Sequence, residues 1–579
     1  MLGVDSGMEP ARTRQGPRQG GPLERREQGL QGLRLARRLP AGNVESLLGR
    51  STRDPEIGRG ALLPDARRPP NGLESVTTSG WAAGTIFGHA LNTMDRRTFL
   101  RATGSAAALG LSGRLGMAGA LPEVGAVHRL LEETPRERVA AELAALIRDG
   151  LDHRRTLTAL AVATSRSVRP FPHVGFKYHT VLALQSVHLT ALNLPDEERW
   201  LPVFWALDYF KRAQDQERRQ SGWTMGPRPP PVARTVEKAG KRLIDALERW
   251  DLEAVDPAIL DFARLATREQ VCELLFRYST RDLREIGHKA IAVQNVHRLL
   301  PIVGPEYAPP VLRSLAAALQ NHGNDPNPAT RDLPSDRTWR AFRGMLGEIP
   351  KTWKHGRRDD AARIELLRTL REVSELDAGQ AVIDLLKHGV STDSIWEAIF
   401  AAAAELVLRR PTVVPVHAQT SANAFHHVFR HARAESTQIL ALLQSAAFMP
   451  AFRRRVRNAQ PDLRIDELEP LVVSGDGAEA LRDAFSELPH DRTAGARKAL
   501  HYLQRGGSAD TFVASARRHL ARNGRRSHDY KFTEAALENH GGMAPTAWRD
   551  RILSASMAYF IGSETAPSPV ARKALQLLG

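Results

Sequence analysis

The strongest constraint on the fold is a helical spacing of apolar residues that continues through most of the chain after residue 120. Apolar residues recur every three or four positions in segments such as "RERVAAELAALIRDGLDHRRTLTALAVATS", "TVEKAGKRLIDALERWDL" and "AARIELLRTLREVSEL", which is the period of an amphipathic α-helix. Alternating runs typical of β-strands are few and short. The best strand candidate is "PTVVPVH" at 411–417, and its two prolines argue against a strand. The sequence therefore predicts an all-α fold, a multi-helical array or toroid.

A weak internal repeat supports the array. The segment "GHKAIAVQNVHRLLPIVGPEYAPPVLRSLAAAL" is similar to "VHAQTSANAFHHVFRHARAESTQILALLQSAAF". Each opens with a histidine, His288 or His417, and an asparagine follows at Asn295 or Asn423. Two interpretations remain open. Either helical pairs are duplicated, with residues 212–285 interrupting the first copy, or amphipathic helices resemble each other by chance.

Residues 95–122, "DRRTFLRATGSAAALGLSGRLGMAGALP", have the layout of an export signal. Arg96 and Arg97 precede Phe-Leu, an uncharged segment follows, and an A-x-A site ends at Ala120. This pattern predicts a twin-arginine signal peptide at 94–120 and a periplasmic or secreted protein. The twin-arginine translocase and signal peptidase are then partners. The alternative is a buried helix with a chance arginine pair.

The residues on either side of this signal differ in composition. Residues 1–93 are rich in Arg, Gly, Pro and Gln without a sustained period, which predicts a disordered arm or a misassigned upstream start. The helical pattern then predicts a main α-helical domain at 121–471. A break at "VVSGDGAEA" separates it from a C-terminal helical lobe at 472–579.

Charge and cysteine content exclude several classes of protein. The net charge is +16, but basic and acidic residues interleave without a basic stripe carrying aromatic side chains, so no nucleic-acid binding is predicted. The mature chain has no apolar run of membrane-spanning length, so no stable membrane span is predicted. Cys272 is the only cysteine. It cannot form an intrachain disulfide, and its apolar helical surroundings predict an inert core thiol.

Histidines are the best candidates for a chemical site, because imidazole transfers protons near neutral pH and is a common metal ligand. His179 and His188 are nine residues apart and lie on opposite faces of one helix, so only one can face a given site. His288 and His417 hold equivalent places in the repeat and can converge. With His528, in "RRSHDYKFTEAALENH", the predicted catalytic set is His179, His288, His417 and His528, binding a metal ion or abstracting a proton.

Neighbouring polar residues receive secondary predictions. Asn295 and Asn423 lie about two turns after the histidines and are predicted to orient them or to bind a polar cofactor group. Asp529 can cap a helix, which leaves a surface position as the alternative for His528. His427 and His431 have the i, i+4 spacing of a helical metal chelate. The H-E-x-x-H arrangement is absent, and surface positions are predicted for both.

Four of these blocks resemble known bacterial sequences. They are "YHTVLALQSVHL", "IGHKAIAVQNVHR", "VHAQTSANAF" and "HDYKFTEAALE". They look like uncharacterised all-α proteins exported by the twin-arginine route and, more distantly, are similar to the questin oxidase-like family. The resemblance covers about residues 175–560. It implies an all-α fold and oxygenative ring cleavage of an aromatic polyketide, although an exported chain has no cytosolic NADPH.

Two functional hypotheses follow. In the first, the chain is an exported oxidoreductase or metal-dependent enzyme that acts on a small organic substrate such as a phenol, through its histidine site and a histidine-bound metal ion. In the second, it is a non-enzymatic helical-repeat scaffold that binds a partner in the cell envelope. Convergence of the four histidines favours the first hypothesis, and scattering favours the second.

Overall fold

The computed structural model describes residues 124–170, 177–320, 332–456, 463–563 and 566–579. Within these ranges the chain forms 21 α-helices and no β-strand, which confirms the all-α prediction. The predicted signal peptide and residues 1–93 lie outside the described residues. The toroid, the internal duplication and the domain boundary at 471/472 stay predictions.

The α-helices follow in chain order. They are α1 (Val124–Glu133), α2 (Arg136–Arg148), α3 (His153–Ser167), α4 (His179–Leu192), α5 (Leu201–Gln220), α6 (Val236–Arg249), α7 (Leu252–Leu265), α8 (Arg268–Ser279), α9 (His288–Leu319), α10 (Pro334–Met345), α11 (Asp360–Leu370), α12 (Glu375–Lys387), α13 (Thr392–Arg409), α14 (Val413–His431), α15 (Glu435–Arg455), α16 (Gly477–Glu487), α17 (Arg492–Gln504), α18 (Ala509–Asn523), α19 (Ser527–Gly542), α20 (Ala547–Ser556) and α21 (Pro569–Leu578). Short 3₁₀ turns lie at Arg284–Gly287, Leu346–Glu348, Trp353–His355, Ile465–Glu467 and Met557–Tyr559.

Local sequence signals decide where many helices begin. The Asp152 carboxylate accepts a hydrogen bond from the Arg155 backbone at 2.8 Å and starts α3. Thr267 forms a capping box at the start of α8. Pro415 lies in the first turn of α14, where a missing N–H costs nothing. This explains why the stretch at 411–417 becomes the start of a helix and not a strand.

Four helices form the centre of the molecule. α9 packs on α4 and α14, and α19 packs on the same two helices from the other side, so that the four surround a common interior. Nearly every residue of α4 and of the first half of α9 is buried. Because these helices have little solvent-facing surface, each polar side chain on them needs a partner inside the protein.

The C-terminal helices build their own apolar cluster and also supply α19 to the centre. Phe485, Phe512 and Phe560 pack in this second cluster together with Phe532 of α19. Tyr530, two residues earlier on α19, packs in the main cluster instead. α19 therefore has one face in each cluster, which is how a C-terminal histidine reaches the interior formed by the earlier helices.

Two further predictions from the sequence concern the thiol of Cys272 and the absence of a membrane span. Cys272 is buried, and burial raises the pKa of its thiol to about 12, as expected for an inert core residue. None of the helices that the structure describes has an apolar stretch long enough to cross a membrane.

Candidate metal centre

Four histidines from the four central helices meet in the interior. His288 Nε2 lies 3.2 Å from His179 Nε2 and 3.0 Å from His417 Nε2. One ligand nitrogen from each of these three residues falls within 4.8 Å of the others. The ring of His528 lies 4.8 Å from that of His179 and 4.9 Å from that of His417, measured between centroids. The structure therefore brings together all four histidines named from the sequence, and their catalytic role stays a prediction.

The backbone fixes which nitrogen of His288 and His417 carries the hydrogen. His288 Nδ1 lies 2.7 Å from the Glu285 carbonyl oxygen, and His417 Nδ1 lies 2.7 Å from the Val413 carbonyl oxygen. A carbonyl can only accept, so both Nδ1 atoms must donate. In the neutral rings both Nε2 atoms then carry a lone pair, and the two lone pairs face each other without a hydrogen between them.

This arrangement is compatible with a metal ion held by the neutral rings. Burial lowers the pKa of His417 to about 3 and holds the pKa of His288 well below its usual value, so both rings are neutral at neutral pH. Imidazole nitrogens bind zinc at 2.0–2.1 Å, which places neighbouring ligands of a tetrahedral site roughly 3.4 Å apart. The observed 3.0 and 3.2 Å are close to that spacing. Backbone carbonyls on the far nitrogens are also a common way to orient metal-binding histidines.

His528 completes the group but is not positioned by its neighbour Asp529. The Asp529 carboxylate accepts hydrogen bonds from the backbone of Arg525 and Arg526, both at 2.9 Å, and so caps α19. His528 Nε2 is buried and has no hydrogen-bond partner among the described residues. His528 is half-buried, and α19 turns its ring towards the central helices.

An unusual turn delivers His288 to the centre. Glu285, Ile286 and Gly287 are consecutive left-handed residues, with φ of 50°, 47° and 87°. A β-branched residue such as isoleucine rarely adopts this conformation. The turn places the Glu285 carbonyl beside the His288 ring and brings Gly287 against α14, where an added Cβ would lie 2.5 Å from the Ser421 Cβ. The "IGH" glycine is the only sequence signal of this turn.

The predicted asparagines make other contacts. Asn295 Nδ2 donates to the Ile291 carbonyl at 2.7 Å. Asn423 Nδ2 donates to Glu538 and Asn539, while its Oδ1 accepts from Gln294. Both asparagines line a small polar cavity in the four-helix interior, of about 10 Å³. Their predicted role in binding a cofactor group stays a prediction.

Lys531 also lines this cavity and had no predicted role. Its side chain is only 4% exposed, and its Nζ has no hydrogen-bond partner among the described residues. Burial lowers the pKa of this ammonium group to about 7. The sequence gives one signal for it, because Lys531 follows His528 by three residues and so lies on the same helix face.

A second histidine cluster lies further along α9 and α14 and has a different hydrogen-bond pattern. Arg298 donates to His427 Nδ1 at 3.0 Å, so in the neutral ring the hydrogen is on His427 Nε2. That atom lies 3.0 Å from His297 Nδ1 and can donate to it. The cluster thus satisfies this pair without a metal ion.

The predicted surface position is wrong for His427, which is 4% exposed, because α14 packs this face on α9. His431 is exposed, as predicted. The nine-residue spacing rule is confirmed for α4, since His188 faces His153 at 3.2 Å and only His179 faces the centre.

Comparisons with protein-family models, curated proteins and solved structures find no match to this chain.

Proposed function

We propose that this chain is an exported metalloprotein in which His179, His288 and His417 bind one divalent transition-metal ion. The observation that carries the proposal is the pair of lone pairs on His288 Nε2 and His417 Nε2, 3.0 Å apart with no hydrogen to place between them. Neutral imidazoles suit zinc, copper, iron and nickel. Three protein ligands, as in many catalytic metal sites, leave a further coordination position for water or substrate.

The proposal extends to metal-dependent catalysis on a small substrate. A redox-active ion would make the chain an oxidoreductase, as the resemblance to the questin oxidase-like family implies, and zinc would favour hydrolysis. The polar cavity next to the histidines has about 10 Å³, which is space for roughly one water. An organic substrate such as a phenol therefore requires neighbouring side chains to move.

Export by the twin-arginine route is part of the proposal. The Arg96-Arg97 motif supports it, and so does the burial of the three ligands. That route carries folded proteins, and a buried centre would have to receive its ion before or during folding in the cytosol. The single cysteine is consistent with a chain that folds under reducing conditions.

The test is metal content on protein expressed from Met94 with its own signal. We expect one transition-metal ion per chain, and a mature amino terminus at Leu121. His288→Gln should lose the ion while circular dichroism shows an unchanged helical content. His297→Asn is the matched control, since His297 lies nine residues along the same helix in the metal-independent cluster, and it should keep the ion.

Two results would overturn the proposal. One is a wild-type protein that holds no metal after expression in metal-supplemented medium. The other is equal metal content in the wild type and in folded His288→Gln protein. Either result would make the helical-repeat scaffold the leading interpretation.

A further inference from the structure

A buried lysine without a hydrogen-bond partner among the described residues lies one helical turn from the histidine centre. The Lys531 ammonium group is buried, with its side chain 4% exposed, and has no partner in the described part of the chain. A buried charge without a partner is strongly destabilising. Without a partner, burial favours the neutral amine, whereas an anion bound beside Lys531 Nζ would favour the charged ammonium form.

The surrounding charged residues are already paired. Among the residues lining the cavity, Arg298 is ion-paired with Glu538. Glu534 also lines the cavity, and its carboxylate accepts a hydrogen bond from Arg517 at 2.9 Å. Glu538 is thus paired with Arg298, and Glu534 is paired with Arg517. The charge of Lys531 is the one left without an opposite charge.

The cavity forms the layer directly next to the histidines. Three of its lining residues follow a histidine of the centre by three positions on the same helix: Ile291 after His288, Thr420 after His417, and Lys531 after His528. Three helical residues rise about 4.5 Å. The cavity is therefore about one turn away from the metal-binding nitrogens and on the same side of all three helices.

The lining groups offer hydrogen-bond donors as well as charge. Gln185, Gln294 and Asn295 contribute side-chain amides to the wall. Asn295 Nδ2 uses one hydrogen on the Ile291 carbonyl and carries a second. The volume of about 10 Å³ leaves room for one small occupant and not for an organic molecule.

We propose that this cavity binds one small inorganic anion, of about the size of chloride, through the Lys531 ammonium group. Such an anion would supply the missing opposite charge. It would also offset the positive charge of an ion held by the histidines one turn away. The anion site rests on Lys531 and the cavity alone, and so it goes beyond the proposed metal site and does not depend on it.

The first arm of the test measures thermal unfolding of metal-free protein. Sodium chloride and sodium bromide are compared with sodium gluconate at equal ionic strength. We expect a saturable, halide-dependent rise in Tm for the wild type, because a ligand bound only by the folded state stabilises it. Lys531→Met should lose this rise. Lys387→Met removes a surface lysine of the same charge, paired with Glu348, and should keep it.

The second arm locates the ion. Crystals of the wild type grown in bromide should show an anomalous peak within hydrogen-bond distance of Lys531 Nζ. A Tm that does not respond to halide, or an equal response in Lys531→Met, would overturn the proposal. So would a cavity that holds only water in bromide crystals. The bromide experiment keeps the test decisive if Lys531→Met fails to fold.

The two proposals fail separately. Halide binding at Lys531 in a protein that never takes up metal would support the anion site and overturn the metal centre. A metal-loaded protein whose Tm does not respond to halide would support the metal centre and overturn the anion site.

Discussion

The Nε2 atoms of His288 and His417 face each other at 3.0 Å, and neither carries a hydrogen, because both rings donate from Nδ1 to backbone carbonyls. This contact is unfavourable in the metal-free protein and favourable once a cation lies between the rings. Replacing one of these two histidines should therefore preserve or raise the stability of the metal-free protein and lower its affinity for metal.

His417→Gln is the direct test of that opposition. The glutamine amide can donate a hydrogen bond to His288 Nε2, worth about 1 kcal/mol. We expect metal-free variant protein to resist urea at least as well as metal-free wild type. Its zinc affinity should fall by about 100-fold or more, since even the loss of an outer partner of a ligand costs 10–100-fold. A less stable variant with unchanged zinc affinity would contradict the assigned tautomers.

Gly287→Ala should destabilise the protein and impair metal binding together. The alanine would have to adopt a φ of 87° and would place its Cβ 2.5 Å from the Ser421 Cβ. We expect a loss of about 2–4 kcal/mol in the free energy of unfolding. Adding Ser421→Gly should restore part of the loss, whereas Ser421→Ala, which keeps the Cβ, should not. Equal effects of the two added substitutions in a double-mutant cycle would refute the close approach of the Arg284–Gly287 turn to α14.

Lys531→Met should make the metal-free, halide-free protein more stable. The variant replaces an unpartnered buried ammonium with an apolar side chain of similar length, and we expect a gain of about 1–3 kcal/mol. The measurement is urea unfolding in gluconate buffer. Lys387→Met should stay within about 0.5 kcal/mol of the wild type. A destabilised Lys531→Met protein would show that Lys531 has a structural partner.

Acid should destabilise the fold well before the carboxylates titrate. Burial lowers the pKa of His153, His188 and His519 to about 4 and that of His426 to about 3. The unfolded chain binds protons at these groups near pH 6.5, so it gains protons first as the pH falls. Stability should thus be full above pH 6.5 and decline towards pH 4, by at most about 1.4 kcal/mol per pH unit for each histidine. Urea midpoints across this range test it, and a flat profile would disagree with burial of these rings.

Glu405 should be one of the more sensitive positions outside the centre. Its carboxylate, buried in α13, accepts from Arg371 at 2.6 Å and from the Ile465 backbone at 3.0 Å, and pairs with Arg409 at 2.7 Å. Glu405→Ala removes the acceptor of the Ile465 N–H and leaves Arg371 with Asp466 as its remaining carboxylate partner, so it should cost about 1–3 kcal/mol. Glu405→Gln keeps an acceptor oxygen and should cost less. Equal thermal shifts for the two variants would argue against this network.

The helical period and the similar positions of His288 and His417 were sufficient to predict the fold class and the residues that meet. The period could not predict which nitrogen of each ring faces inwards, because that depends on the Glu285 and Val413 carbonyls in the folded chain. The burial of His427 could not be predicted either, because it also depends on packing in the folded chain. Its i, i+4 spacing from His431 without the H-E-x-x-H arrangement led to a predicted surface position, but packing on α9 buries it.

Lys531 shows a further limit of sequence reasoning. A lysine on an amphipathic helix normally reaches solvent, and the one contrary signal in "HDYKFTEAALE" is the spacing of three residues from His528. Its burial follows from α19 being enclosed by two apolar clusters, with Tyr530 in one and Phe532 in the other. Only the assembled helices show that Lys531 Nζ has no hydrogen-bond partner in the described part of the chain.

The three proposed ligands are far apart in the chain, with a sequence separation of 109 from His179 to His288 and of 129 from His288 to His417. A metal ion there would act as a cross-link that closes two long loops, the stabilising role that disulfides have in many exported proteins. It would form only after distant helices had met, and its release would require them to separate. Metal exchange in the folded protein should therefore be as slow as partial unfolding, so an ion acquired during folding would persist.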